Sequence, residues 1–216
     1  MLKLYSPGRA EWIIGSLDAP IRDICAPFGL PPACLQAILY QELTQIDLLD
    51  PLADLAVLIN HLRLRCAEAL GLRKTKAVPK GRGPFCKIDS STGYAQVFAG
   101  TGISCLRFAF DHGLADKDLS REFGDRPLDP ENREDLFRVW LRLHRDRVFN
   151  LKIAALALLS AAEERAGSLS FSSFSAEQLK LVFTRYNGTV RGVSPYGELC
   201  LQHYLRYSGK TAETHD

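Results

Sequence analysis

Glu42 is the residue whose type and surroundings point most directly to chemistry. It lies in the stretch ACLQAILYQELTQID, where apolar side chains recur with helical spacing at Leu35, Ile38, Leu39 and Ile46. Glu42 comes four residues after Ile38 and four before Ile46, so a helix projects it from the apolar face. Burial disfavours the charged form of a carboxyl group and raises its pKa. The spacing therefore predicts a protonated Glu42 that can act as a general acid.

Two other arrangements would explain a glutamate at this position without chemistry. An arginine could form a buried ion pair with it. Alternatively, a nearby helix end could let the side chain reach water. The sequence leaves both arrangements open.

A second unusual segment is DSSTGYAQVFAGTG, residues 89–102. Its hydroxyl side chains, glycines and one amide suit the recognition of sugar hydroxyl groups. Asp89 opens the segment and is the candidate for a second catalytic carboxylate, which would activate water or stabilise a developing cation. Asp47 is a weaker candidate for that role. The alternative interpretation of the segment is an ordinary tight turn that leads into a helix.

The third segment is FTRYNGT, residues 183–189, where a predicted helix carries Phe183 and ends near Tyr186 and Asn187. Asn followed by Gly is a common helix stop. Tyr186 is then either a core aromatic residue whose hydroxyl finds a partner or a side chain that lines a site.

Taken in order, these segments resemble the lysozyme-like superfamily, in particular the branch of soluble lytic transglycosylases and goose-type lysozymes. AILYQEL at 37–43 is similar to the family's catalytic glutamate motif, and TRYNGT at 184–189 is similar to its AxYN segment. The apolar helix that begins at Asn150 also has a counterpart in the family. The family's glycine and glutamine segment is matched here by Ser90, Gly93, Gln96 and Thr101.

The resemblance implies that the substrate is the glycan strand of peptidoglycan, cleaved between MurNAc and GlcNAc with Glu42 as general acid. Asp89 would be the second catalytic residue of a hydrolase. If no second carboxylate faces Glu42, the resemblance implies that the substrate's N-acetyl group assists and that an anhydro-sugar forms. No cofactor and no metal are implied. The residues expected to bind substrate are Ser90, Ser91, Gly93, Gln96, Thr101, Tyr186 and Asn187, with Tyr186 placed to hold the N-acetyl group.

The sequence departs from the family pattern at three places. Leu43 stands where a serine usually follows the glutamate, and Gly188 and Thr189 replace the usual Ala-Gly. Glu42 and Asp89 are 47 positions apart (89 minus 42), which is more than is typical of the family. The long separation predicts a helical insertion at about 50–84.

Two other functional classes remain open at this stage. Leu43 favours a non-catalytic lysozyme-like module that binds glycan or a partner protein without cleaving it. A helical nucleic-acid-binding protein could use the basic loop at 71–84 and the arginine face at 133–147. The net charge of +2 opposes that interpretation, so we expect no nucleic-acid partner.

The expected fold is mainly α, a single lysozyme-like domain over 1–216 with the insertion at about 50–84 and a polar tail at 208–216. A short β-hairpin or an irregular loop is predicted near 86–98. The segment 151–159 is apolar nearly all round and predicts a central helix, while Ser175 and Gln178 suggest a capping box. Two further amphipathic helices are marked by Leu52, Leu55, Ala56, Ile59, Cys66 and Leu70 and by Leu136, Val139, Trp140 and Leu143.

The remaining features concern the cellular setting. The six cysteines are scattered without the spacing of metal ligands and are predicted to be reduced and buried. The apolar run 153–162 is too short to cross a membrane, so no integral membrane segment is expected. No signal-peptide pattern occurs in the first twenty residues. We therefore expect a protein made in the cytoplasm that acts at the cell wall if it is released or exported by another route; its oligomeric state is left open.

Overall fold

The computed structural model describes residues 3–72, 76–79, 87–188 and 191–209, and most of these residues are helical. The mainly α class predicted from the sequence is therefore confirmed. The ten described α-helices are α1 (Pro7–Ser16), α2 (Asp18–Cys25), α3 (Pro32–Gln45), α4 (Leu49–Ala69), α5 (Ala99–Asp111), α6 (Lys117–Phe123), α7 (Arg133–Arg145), α8 (Arg147–Ala166), α9 (Ala176–Asn187) and α10 (Pro195–Tyr207).

The helices group into two compact units. The first unit contains Lys3–Ile46 and Ala154–Asp216, and the second contains Asp47–Ile153, so the boundary falls within α8. The organisation of the whole chain as one lysozyme-like domain stays a prediction.

In the first unit, capping residues mark the starts of α1, α9 and α10. Ser6 caps α1 and Ser194 caps α10, and each cap is followed by a proline at the start of the helix. A proline fits there because the first helical N–H needs no partner within the helix. The predicted capping box of Ser175 and Gln178 is present at the start of α9. Helix α10 packs against both α9 and α3, while α1 packs against α3.

The contact between α9 and α10 is close because of Gly197. A Cβ atom at this position would lie 2.2 Å from Thr184 Oγ1 and 2.4 Å from the Lys180 carbonyl oxygen. No other residue type fits without separating the two helices. Gly197 therefore fixes the position of α10 against α9, and with it the position of the adjacent Tyr196.

Helix α8 is buried along its apolar segment, as the sequence predicted. The fully or almost fully buried side chains there are Leu151, Ile153, Ala154, Ala155, Leu156, Leu158, Leu159, Ala161 and Ala162. Helix α3 is also deeply buried, and the described side chains include Leu35, Ile38, Leu39 and Leu43 at 0% exposure. Both helices thus supply apolar side chains to the buried interior.

In the second unit, the segment near 86–98 is an irregular loop and not a hairpin of regular strands. Among the residues that the structure describes, β-type pairing is limited to the isolated bridges Ala77–Asn132 and Thr92–Val97. The second bridge closes a tight turn in which Gly93 has a φ of 72° and Gln96 a φ of 48°. Of the two predicted alternatives, the irregular loop is the one found.

Helix α4 occupies most of the predicted insertion, but its apolar stripe faces outward. Leu52, Leu55 and Ile59 are 58%, 50% and 53% exposed. The face that packs inward instead carries Asn60 and His61, together with Val57 and Leu64. The amphipathic pattern located the helix correctly, but the described residues bury its less apolar side.

Several sequence predictions fall outside the described residues. They concern Arg73, Lys74, Lys80 and Arg82 of the basic loop, Cys86, Thr189 and the tail from 210 onwards. The five described cysteines are free, and all except Cys66 are buried. Within the described residues, we find no helix with both the length and the apolar character of a membrane span.

Candidate active site

Glu42 lies on α3 among buried neighbours, as its spacing predicted. Ile38, Leu39 and Leu43 are fully buried, while Glu42 itself is half-buried. Its Oε1 atom accepts a hydrogen bond of 2.5 Å from the hydroxyl of Tyr196 on α10. The carboxyl group is thus bound by a neutral donor within the first unit.

Tyr196 is a donor that keeps its proton. Burial raises the pKa of Tyr196 well above its ordinary value of 10, and the charge of Glu42 raises it further. Cys200 and Tyr186 add smaller contributions in the same direction. The Tyr196 hydroxyl is therefore un-ionised throughout the physiological pH range.

Cys200 lies one helical turn after Tyr196 and is fully buried. Burial raises the pKa of the Cys200 thiol, and the nearby Glu42 acts in the same direction, although a hydrogen bond with Tyr196 opposes them. A thiol that stays protonated is a poor nucleophile. Cys200 therefore contributes packing here. We call the set of Glu42, Tyr186, Tyr196 and Cys200 the Glu42 site.

Tyr186 lies on the last turn of α9, the helix that packs against α10. It is half-buried, and it lies near enough to Tyr196 to affect the pKa of that residue. The next residue, Asn187, is exposed at the helix end. Of the two residues predicted from the TRYN segment, the structure thus associates Tyr186 with the surroundings of Glu42, and it places Asn187 at the surface.

A second set of contacts aligns α10 on α3. His203 Nε2 lies 3.2 Å from Gln41 Oε1, and its ring lies 4.5 Å from the ring of Tyr40. Burial lowers the pKa of His203, so its ring is neutral near pH 7. Since Gln41 precedes Glu42 and His203 is on the same helix as Tyr196, these contacts position the acid and its donor together.

Asp89 lies in the second unit at the N-terminus of α5. Its two carboxyl oxygens accept hydrogen bonds from the backbone N–H groups of Ala99 at 2.8 Å and Gly100 at 3.0 Å. Burial raises the pKa of Asp89, although these bonds and one from Ser90 oppose the rise. Through these contacts, Asp89 caps the N-terminus of α5. Its catalytic role stays a prediction.

Ser90 belongs to a partly buried hydrogen-bond network. Its hydroxyl donates to Asp54 Oδ1 at 2.6 Å and accepts from Trp140 Nε1 at 2.9 Å. Thr92 donates to the other oxygen of Asp54 at 2.9 Å, and His144 Nδ1 lies 3.0 Å from the Thr92 hydroxyl. Ser90 is 2% exposed and Thr92 is fully buried. The hydroxyl groups of Ser90 and Thr92 thus hold the loop in place.

The half-buried side of the same loop carries Ser91, Gly93 and Gln96. Ser91 donates to Gln96 Oε1 at 3.1 Å, and Gln96 Nε2 donates to the Gly93 carbonyl at 2.8 Å. The three predicted binding residues are therefore brought together in one turn. Thr101 lies apart from them, exposed on the first turns of α5.

Asn150 holds this turn from α8. Its Oδ1 accepts a hydrogen bond of 2.9 Å from the Ala95 N–H, and its Nδ2 donates to the Thr92 carbonyl at 3.0 Å. A Cβ atom on Gly93 would lie 2.4 Å from Asn150 Nδ2, so only glycine allows this approach. The residue that begins the predicted apolar helix thus shapes the segment predicted to bind sugar.

The arginine face at 133–147 is partly neutralised by ion pairs. Arg133 is 1% exposed and forms ion pairs with Glu68 at 2.7 Å and Glu134 at 2.8 Å. Arg142 pairs with Asp146 at 3.0 Å and also contacts Glu122. These contacts weaken the case for a phosphate-binding surface on α7, since Arg133 and Arg142 already have acidic partners.

Sequence reasoning missed Tyr196 and Cys200. The only signal for them was the helical period of the final helix, which also carries Leu199, His203 and Tyr207. No pattern along the chain connects that helix to Glu42, because the contact is made by packing.

In the part of the chain described, no group of three or more His, Cys, Asp or Glu side chains is arranged to hold a metal ion. Comparison with protein-family models, curated proteins and solved structures finds no match for the chain.

Proposed function

We propose that the protein cleaves the glycan strands of peptidoglycan between MurNAc and GlcNAc, with Glu42 as the general acid. The observation that supports this most is a carboxyl group on a buried helix that accepts a hydrogen bond from the hydroxyl of a half-buried tyrosine. Glycosidases use a carboxyl group in such surroundings to protonate the leaving oxygen. The order of the motifs that resemble the lysozyme-like superfamily directs the proposal to peptidoglycan.

Tyr196 would orient the acid in this reaction. Its hydroxyl donates a hydrogen bond to Oε1 of Glu42, which restricts the rotation of the carboxyl group that would supply the proton. A neutral donor orients the carboxyl group without the strong preference for the ionised form that an arginine would impose. After the proton moves to the glycosidic oxygen, the same hydrogen bond stabilises the carboxylate that remains.

The second half of the reaction has two possible routes. A hydrolase needs a carboxylate that activates water or stabilises the cation, and Asp89 is the candidate. In a lytic transglycosylase, the N-acetyl group of the substrate assists and an anhydro-sugar forms. The two routes give different products, so the products distinguish them. Either route requires that the protein reach the cell wall by release or by export.

The experiment is to incubate the full chain with purified peptidoglycan and to identify the released fragments by mass spectrometry. We expect muropeptides from the wild-type protein and none above background from Glu42→Gln, which keeps the shape of the side chain but removes its acidic proton. Glu198→Gln is the matched control, because it removes an exposed acidic side chain from α10. Equal release by wild type and Glu42→Gln would exclude Glu42 as the acid.

Asp89→Asn assigns the route. If the wild-type products carry a reducing end, this variant should lose product release as Glu42→Gln does. With anhydro products, it should retain release while losing stability through the weakened cap of α5. Glycan binding without any released fragment, unchanged in Glu42→Gln, would favour the non-catalytic binding module instead.

A further inference from the structure

Helix α4 and its N-cap residue, Leu48, expose a continuous apolar face in the second unit. Leu48, Leu52, Leu55, Ile59 and Leu62 are each between 50% and 58% exposed. An apolar face of this extent, left exposed by the residues that the structure describes, indicates an interface.

The spacing of this face indicates what covers it. The intervals from Leu48 through Leu52, Leu55 and Ile59 to Leu62 alternate between four and three residues, and a further step of four reaches the exposed Cys66. This is the heptad seam by which one helix packs along another in a coiled coil. We call these six residues the α4 seam.

We propose that the α4 seam packs antiparallel against the α4 seam of a second copy of this chain. A two-fold axis beside residue 57 pairs each residue of the seam with one of the second copy. Leu55 then meets Ile59, Leu52 meets Leu62, and Leu48 meets Cys66. The seam is self-complementary in this orientation, because every layer joins two apolar side chains.

The charges on α4 select the antiparallel orientation. Arg63 and Arg65 lie near its C-terminal end, and Asp47 lies just before its first residue. A parallel pair would bring the four arginines of two copies together. The antiparallel pair instead places the arginines of one copy near the end of α4 that follows Asp47 in the other, and it opposes the two helix dipoles. Arg65 also pairs with Glu134 of its own chain at 3.1 Å.

The first test is sedimentation equilibrium of the full chain over a range of concentrations. We expect a reversible monomer–dimer equilibrium, with a dimer of twice the 24.0 kDa chain mass. Leu55→Glu should weaken the dimer at least about 100-fold, because the change occurs twice in a symmetric interface. Val148→Glu is the control. Val148 lies on α8 in the second unit, is 47% exposed and is not part of the α4 seam.

A mild oxidation test addresses the orientation. Leu48→Cys should form a cross-linked dimer through Cys66 of the second copy, and adding Cys66→Ser should abolish that cross-link. Cross-linking that persists with Cys66→Ser would indicate parallel helices and overturn the proposal. A monomer at the highest concentration reached, or a dimer that Leu55→Glu leaves intact, would also overturn it. So would a monomer that binds anionic lipid vesicles and loses this binding in Leu55→Glu.

Discussion

The hydroxyl of Tyr196 donates a hydrogen bond to the carboxyl group of Glu42 across 154 positions of the sequence. The bond joins α10 to α3, the helices that supply the donor and the candidate acid. Because Tyr196 retains its proton, the bond constrains the carboxyl group at every physiological pH.

Tyr196→Phe removes this hydrogen bond and keeps the ring. We expect kcat for peptidoglycan cleavage to fall by about tenfold, since the acid loses one net hydrogen bond that orients it and stabilises its conjugate base. Steady-state release of muropeptides measures the effect. KM should change little, because Tyr196 acts through Glu42 and not through the substrate.

Tyr207→Phe is the matched control for that variant. Tyr207 is also on α10 and also donates to a glutamate, with its hydroxyl 3.1 Å from Glu11 Oε2. Both variants should lower the free energy of unfolding by about 1 kcal/mol, but only Tyr196→Phe should slow cleavage. Equal activity of the two variants would remove Tyr196 from the proposed mechanism.

Asn150→Ala should destabilise the loop that carries the predicted binding residues. The change removes the two buried hydrogen bonds that Asn150 forms with the Ala95 N–H and the Thr92 carbonyl, at a cost of about 2–4 kcal/mol. Urea denaturation measures the loss. Thr101→Ala, at an exposed position on α5, should change stability by less than about 0.5 kcal/mol; similar losses in the two variants would contradict the anchoring role of Asn150.

Asp135 should make the protein sensitive to acid. Burial alone would raise the pKa of Asp135, but the Arg126 guanidinium and the Asp129 N–H together lower it below its ordinary 3.8. A lowered pKa in the folded state stabilises the protein above pH 3.8, and this contribution is lost as the pH falls through the folded-state pKa. Burial raises the pKa of Asp89, whose ionisation therefore opposes folding as the pH rises above 3.8.

The check is the difference in unfolding free energy between wild type and Asp135→Asn as a function of pH. Wild type should be the more stable protein near neutral pH, and its advantage should shrink as the pH falls below 3.8. An advantage that stays constant down to the most acidic pH studied would show that the Asp135 carboxylate does not provide the predicted stabilisation.

Local patterns predicted the parts of the fold that local physics determines. The capping box at Ser175 follows from two residues three positions apart, and the burial of α8 follows from its continuous apolar run. The apolar neighbours of Glu42 were likewise evident, because helical spacing alone places Ile38 and Leu39 beside it.

Contacts made by packing could not be predicted in this way. Tyr196 meets Glu42 only because α10 packs on α3, and Asn150 anchors the turn at Gly93 only because the helix and loop come together. The outward orientation of the apolar face of α4 could not be predicted for a different reason. Hydrophobic period identifies an apolar side but not its partner, and here Asn60 and His61 lie on the buried side.

The most direct test of the central claim is the rate at which Glu42→Gln releases muropeptides, with the amount of glycan that it binds measured in the same samples. We predict that kcat falls by at least about 100-fold, the usual contribution of a general acid, while binding is retained. A rate equal to that of the wild-type protein would contradict the account.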